Sequence, residues 1–174
     1  MTNETLKILK ERRSIRKYQD KQISDEELDA ILEAGTWAAT AAGLQPAVMV
    51  VVQDKETLSM LSRANAEIQG NPKADPFYGA PTAVVVLADS SRANWLQDGS
   101  LVMGNLMTAA ASLGVGSCWI NRAMEYFDTP AGKDVLKTWG LGENYRGVGI
   151  CILGYADGPA PAPKPRKADY IRRV

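Results

Sequence analysis

Four short runs of apolar, largely β-branched residues constrain this chain most: Ala47 to Val52, Thr82 to Ala88, Ser117 to Ile120 and Val148 to Leu153. A continuous run of this kind, without polar alternation, marks a strand buried on both faces. Segments with helical spacing separate the runs, but strand and helix do not alternate strictly as a parallel sheet would require. The expectation is an α+β fold, with a mixed sheet flanked by helices.

The helical segments carry their own punctuation. Asn3 to about Lys10 reads as a short helix with Leu6, Ile8 and Leu9, leading into a cationic run. Ser24 caps a second helix, Glu27 completes a capping box, and Ile23 and Leu28 occupy the hydrophobic-staple positions. With Ile31 and Leu32 in helical register, that helix is expected to reach about Ala39. Asp54 caps a third, with Leu58 and Leu61 inward. The stretch from Phe77 to Pro81 reads as loop. A long helix is predicted from about Arg92 to Leu113, where Leu96, Met103, Leu106, Met107 and Ala110 keep a 3.6-residue period until Gly114 and Gly116 end it. Pro130 opens one more helix, with Val135, Leu136 and Trp139. Pro159, Pro161, Pro163 and Pro165 then alternate with Ala and Lys, favouring an extended arm over residues 158–174. There is no internal repeat, and 1–174 reads as one domain.

Composition narrows the function. Lys plus Arg and Asp plus Glu number 20 each, so the net charge is zero. Broad attraction to nucleic acid or an anionic membrane is disfavoured, and an anion must be caught locally. No apolar run is long enough to span a bilayer, and the polar opening residues lack the apolar core expected of a signal peptide. A cytoplasmic setting with reduced Cys118 and Cys151 is expected. With no histidine and two distant cysteines, a zinc site and an imidazole base are both disfavoured. Any enzymatic chemistry here is expected to come from a borrowed group.

Three stretches carry that expectation. Arg12-Arg13-Ser14-Ile15-Arg16 places three guanidinium groups within five residues, and such forks bind phosphate bidentately. The competing reading is a solvated basic patch. Lys164-Pro165-Arg166 ends the stiffened arm and either delivers two charges to a fixed place or frays in solvent. Gly114-Val115-Gly116-Ser117-Cys118-Trp119-Ile120-Asn121-Arg122 brackets a strand that ends in polar residues, a usual ligand position in sheets, although Cys118 and Trp119 also suit a core.

Taken in order, these stretches resemble the nitroreductase family of FMN-dependent oxidoreductases, from about Leu6 to Arg166. Arg12 to Tyr18 is similar to its phosphate signature, and Gln45-Pro46 and Phe77 to Pro81 are similar to the motifs ahead of its strands. Asn105, Ala109-Ala110 and Leu113 to Ile120 form the most specific stretch, and Lys164-Pro165-Arg166 falls where the last phosphate contacts are expected. The resemblance implies an intertwined homodimer with two FMN sites, and hydride transfer from NADH or NADPH to a small electron-poor acceptor. It also implies that Arg12, Arg13, Ser14 and Arg16 hold the flavin phosphate and ribityl chain, with Lys164 and Arg166 closing on the same phosphate. Asn121 and Arg122 would present backbone to the reacting ring edge, Ala41, Ala42 and Gly43 would come from the second subunit, and Asn71 would touch the pyrimidine side. FMN is expected over FAD because no Gly-x-Gly-x-x-Gly turn is present for a pyrophosphate. The chain departs from the family at Ala39-Thr40-Ala41-Ala42-Gly43-Leu44, where Pro-Ser-x-x-Asn is common, and it is short for the family, so the helical insertion that lids the substrate pocket of larger members is expected to be missing. A flavin-sequestering protein without turnover is the rival reading.

Overall fold

A computed structural model describes residues 1–174. Its four strands are β1 (Ala47–Val52), β2 (Thr82–Asp89), β3 (Gly116–Ile120) and β4 (Tyr145–Gly154), in the sheet order β1-β2-β4-β3. All three pairings of these strands are antiparallel. The parallel component of the expected mixed sheet is confined to an isolated bridge, Ser14 to Ser117, on the outer edge of β3. Six helices surround the sheet: α1 (Glu4–Glu11), α2 (Asp25–Thr36), α3 (Lys55–Ile68), α4 (Trp95–Ser112), α5 (Ala123–Phe127) and α6 (Pro130–Thr138).

Alternation along the strands divides the core in two. Ala83, Val85 and Leu87 of β2, with Ile150 and Ile152 of β4, face α3, α5 and α6 through Leu61, Phe127 and Leu136. Val84 and Val86, with Cys151 and Leu153, face α2 and α4 through Ile31, Met103 and Leu106. Burial on both faces therefore holds for β2 and the apolar length of β4. It fails for β1, an edge strand that is half-buried with Val51 exposed. β4 also begins three residues before its apolar run, because Tyr145 and Arg146 pair with Asp89 and Ala88 of β2.

The helix ends show local chemistry competing with propensity. Ser24 accepts from Glu27 N while the Glu27 carboxylate accepts from Ser24 N, so both halves of the capping box form. Such caps contribute about 1 kcal/mol. Ile23 and Leu28 are buried in one cluster, as a staple requires. α2 stops at Thr36 rather than Ala39, because the chain must turn back to enter β1 and does so through left-handed Ala42 (φ 51°) and Gln45 (φ 48°). Tertiary routing thus overrides the helix preference of Ala38 and Ala39. α4 begins at Trp95 rather than Arg92, since Asp89 holds a turn by accepting from Ser91 N through its side chain and from Arg92 N through its carbonyl. The five-residue α5 is too short for a periodic signal to mark it in the sequence. Leu6 and Leu9 of α1 point to solvent, and α1 buries no residue. No helix is long and apolar enough to cross a membrane.

Candidate functional site

The arginine run is stitched to the sheet. α1 ends at Arg12, whose N–H bonds Ile8 O at 2.8 Å. The chain then extends, and Ile15 N donates to Ser117 O at 2.9 Å on the open edge of β3. Further on, Gln19 N donates to Tyr155 O and Asp157 N to Lys17 O, which tie the segment to the exit of β4. A glycine is needed at 116: a Cβ there would lie 3.1 Å from Ile15 Cγ1 and 2.9 Å from Gly154 O. Tyr18, beneath the run, donates its hydroxyl to Ile15 O at 2.9 Å, and burial pushes its pKa far upward, so it stays neutral.

Two guanidinium groups in this cradle are incompletely satisfied. Arg13 Nη1 donates to Lys10 O and Arg12 O, both at 2.7 Å, closing the C-terminus of α1. Arg13 Nε and Arg12 Nη1 are buried without an acceptor. A buried donor left this way costs about 1–3 kcal/mol, and more when charged. Neither arginine, nor Arg16, takes part in an ion pair. Lys17 is different: its ammonium lies 2.6 Å from Asp157 in an exposed pair, so it serves the scaffold. A cleft of about 220 Å³ opens between Arg12, Arg13, Gly116 and Ser117, with Ala160 of the arm on its wall. A neighbouring cleft of about 280 Å³ is bounded by Ser14, Arg16, Pro159 and Pro161. A group with several acceptor oxygens fits the unspent donors.

The other expected residues are spread along the fold. Asn121 and Arg122 follow β3 directly, so at ~3.3 Å per residue Asn121 lies about 13 Å along the strand from Ser117. Arg122 adopts φ 75°, and its side chain turns to Glu125 at 2.7 Å. Hydrogen bonding to Arg122 holds the Glu125 carboxyl below its usual range. Ala41, Ala42 and Gly43 form a short 3₁₀ turn against α4, where the buried Asp98 carboxylate accepts from Ala41 N at 3.1 Å. Asn71 is exposed after α3 and closes local turns with its backbone, donating to Ala66 O and accepting from Ala74 N. Lys164 and Arg166 are exposed and make no hydrogen bond within the chain, although the root of their arm lies beside the arginines. One chain therefore gathers Arg12, Arg13, Ser14, Arg16 and the arm's root. The hydrogen bonds of Ala41, Gly43 and Asn71 lead elsewhere. Asp98 and Gly116 escaped sequence reasoning as positioning residues. The Gly-Val-Gly spacing was the available signal for the second, and no local pattern marks the first.

An antiparallel sheet packed between helices, with a cationic cradle on its β3 edge, defines an α+β protein whose unspent donors are gathered at one edge of the sheet. The Nitroreductase family model matches residues 9–155, and the chain belongs to that family. A nitroreductase from Bacteroides fragilis, solved with bound FMN, superposes with a TM-score of 0.91 at 33% identity, covering 99% of this chain and 100% of that one. An FMN-dependent nitroreductase from Clostridium difficile gives 0.78 at 34% identity, over 94% of each chain. The FMN reductase [NAD(P)H] of Bacillus subtilis is 31% identical over 66% of this chain and 53% of its own length.

Proposed function

We propose that this chain is an FMN-dependent oxidoreductase that takes hydride from NADH or NADPH and delivers it to an electron-poor small molecule, such as a nitroaromatic or a quinone. The observation that carries the reading is the pair of buried, unpartnered nitrogens on Arg12 and Arg13. A phosphate monoester supplies acceptors for both and compensates their charge. The FMN-bound structure of the Bacteroides fragilis relative supports the choice of anion.

FMN, when bound, supplies the two-electron chemistry, which accounts for an oxidoreductase without histidine. The chain's residues bind and orient. Arg12, Arg13, Ser14 and Arg16 grip the phosphate and ribityl chain, and Lys164 and Arg166 close over it from the arm. Backbone N–H groups at Asn121 and Arg122 face the ring edge where negative charge develops on reduction. Ala41, Ala42 and Gly43 lie against the ring from the second subunit of a homodimer, and Asn71 approaches the pyrimidine side.

The test is spectroscopic. Purified protein should be yellow, should release FMN and not FAD in acid, and should bleach under argon with NADH or NADPH, recovering its colour when a quinone is added. Yellow protein that neither nicotinamide bleaches is a flavin-sequestering module, and the proposal of turnover then fails.

A further inference from the structure

The largest cavity of the molecule is not the arginine cradle. A cleft of about 570 Å³ lies between α3, the loop from Ala74 to Pro81, and the end of β1. Its size suits a small-molecule site, which typically spans ~300–1,000 Å³. Leu58, Phe77 and Ala80, all buried, form an apolar floor.

Its walls are fixed by bonds that use up most of their polar groups. The Asp75 carboxylate accepts from Ser62 Oγ at 2.6 Å, Phe77 N at 3.0 Å and Gly79 N at 2.7 Å, clamping the loop onto α3. Opposite, Thr82 donates to Gln22 Oε1 at 2.6 Å, Gln53 donates to Thr82 Oγ1 at 3.2 Å, and Gln22 donates to Pro81 O at 3.2 Å. What remains unspent is two cations, one hydroxyl and one carboxylate. Lys55 and Arg63 line the cleft and enter none of the ion pairs, and the Ser59 hydroxyl, one turn of α3 from Lys55, makes no hydrogen bond. At 100° per residue, Lys55, Ser59 and Arg63 share one side of α3. Asp20 is the one carboxylate on the cleft not engaged in this way.

We propose that this cleft is a second ligand site that takes a small organic carboxylate with a ring-sized apolar body. The carboxylate meets Arg63, Lys55 and the Ser59 hydroxyl, and the ring lies on Leu58 and Phe77. This goes beyond the flavin reading and does not depend on it, since none of the arginine-cradle residues lines the cleft.

The test uses full-length, FMN-loaded, ¹⁵N-labelled protein, with benzoate as probe and benzamide as its uncharged isostere. Benzoate should give saturable amide shifts at Gln53, Ser59, Phe77 and Gly79. Benzamide should bind about ten-fold more weakly, as should benzoate to Arg63→Gln or Lys55→Gln, because each loses a charge-assisted contact. Both side chains are exposed, so both variants should fold and keep their FMN. Shifts confined to Ser14, Ile15 and Ser117, equal affinity for benzamide, or indifference to both substitutions would overturn the assignment.

Discussion

Arg12→Ala separates a functional cradle from a solvated basic patch, because the two readings differ in sign. Arg12 Nη1 is buried without an acceptor, so in the flavin-free protein this side chain carries an uncompensated desolvation penalty. Its removal relieves about 1–3 kcal/mol, offset by lost packing of the aliphatic stem. Flavin-free stability should therefore hold or rise. With FMN present the direction reverses: a charge-assisted phosphate contact is worth about 1.5–3 kcal/mol, which is roughly ten- to hundred-fold in affinity. At free FMN one hundred times the parent Kd, ligand stabilisation is about 2.7 kcal/mol, and it falls to about 1.4 for a ten-fold weaker variant. Paired denaturation curves with and without FMN read both effects. Arg12→Lys should recover part of the loss, since it keeps the charge without the fork. Arg63→Ala, on α3 and outside the cradle, should bind FMN normally. Turnover per bound flavin should survive in Arg12→Ala. If that variant loses stability equally with and without FMN, so that the stabilisation by FMN is unchanged, the inference from the arginine run is wrong.

Gly116→Ala should push Ile15 off β3 and weaken FMN binding several-fold in a fluorescence titration while the far-UV spectrum is retained; normal affinity would mean that this close approach does not set the cradle. Gly132→Ala should be severely destabilising in urea, because its Cβ would lie 2.1 Å from Tyr126 O, whereas Gly35→Ala meets the movable Met49 Sδ at 2.7 Å and should cost less. Ending the chain at Gly158 should lower dimer content by sedimentation and flavin occupancy together, and a truncated protein that stays dimeric and fully yellow removes the arm from the site. The Tyr155 hydroxyl, 2.5 Å from Glu27, and the Ser24 backbone hold the Glu27 carboxyl below its usual range. The stability this contributes is present above the unfolded pKa of ~4.3 and is lost as pH falls through the lower folded value, so Tyr155→Phe should flatten the acid limb of a stability–pH curve.

What was legible in the chain followed from how local its cause is. The Ser24 capping box, the Asp54 cap on Thr57 and the Pro130 helix start rest on contacts within a few residues, and each formed where expected. Sheet order did not follow, because an apolar run looks the same in the centre and at the edge; β1 and β2 are alike in composition, yet only β2 is buried on both faces. Likewise the arginines were visible as a cluster, while the reason they are held, Ile15 pairing across to Ser117, depends on partners about a hundred residues away. Asp98 illustrates the same limit: inside a regular α4 nothing marks it as the acceptor that anchors Ala41.

The two edges of the sheet have opposite fates, and the proposed function needs both. An open strand edge invites adventitious pairing. On the β3 side the chain covers its own edge with residues 14 and 15, and this same bridge sets Arg12, Arg13 and Ser14 in place, so under the proposed function edge protection and anion grip are one device. The β1 edge has no strand pairing of this kind within the chain, and beside it the turn that holds Ala41, Ala42 and Gly43 is flanked by Trp37, 79% exposed, and Leu44, 53% exposed. Burying two side chains of this size contributes on the order of 1.5–3 kcal/mol each. Under the homodimer reading, that burial draws the partner onto this surface and carries the turn to the partner's ring. Asp98 then has a consequence beyond its own subunit, since the carboxylate that fixes Ala41 in one chain sets the position of a wall in the other's site.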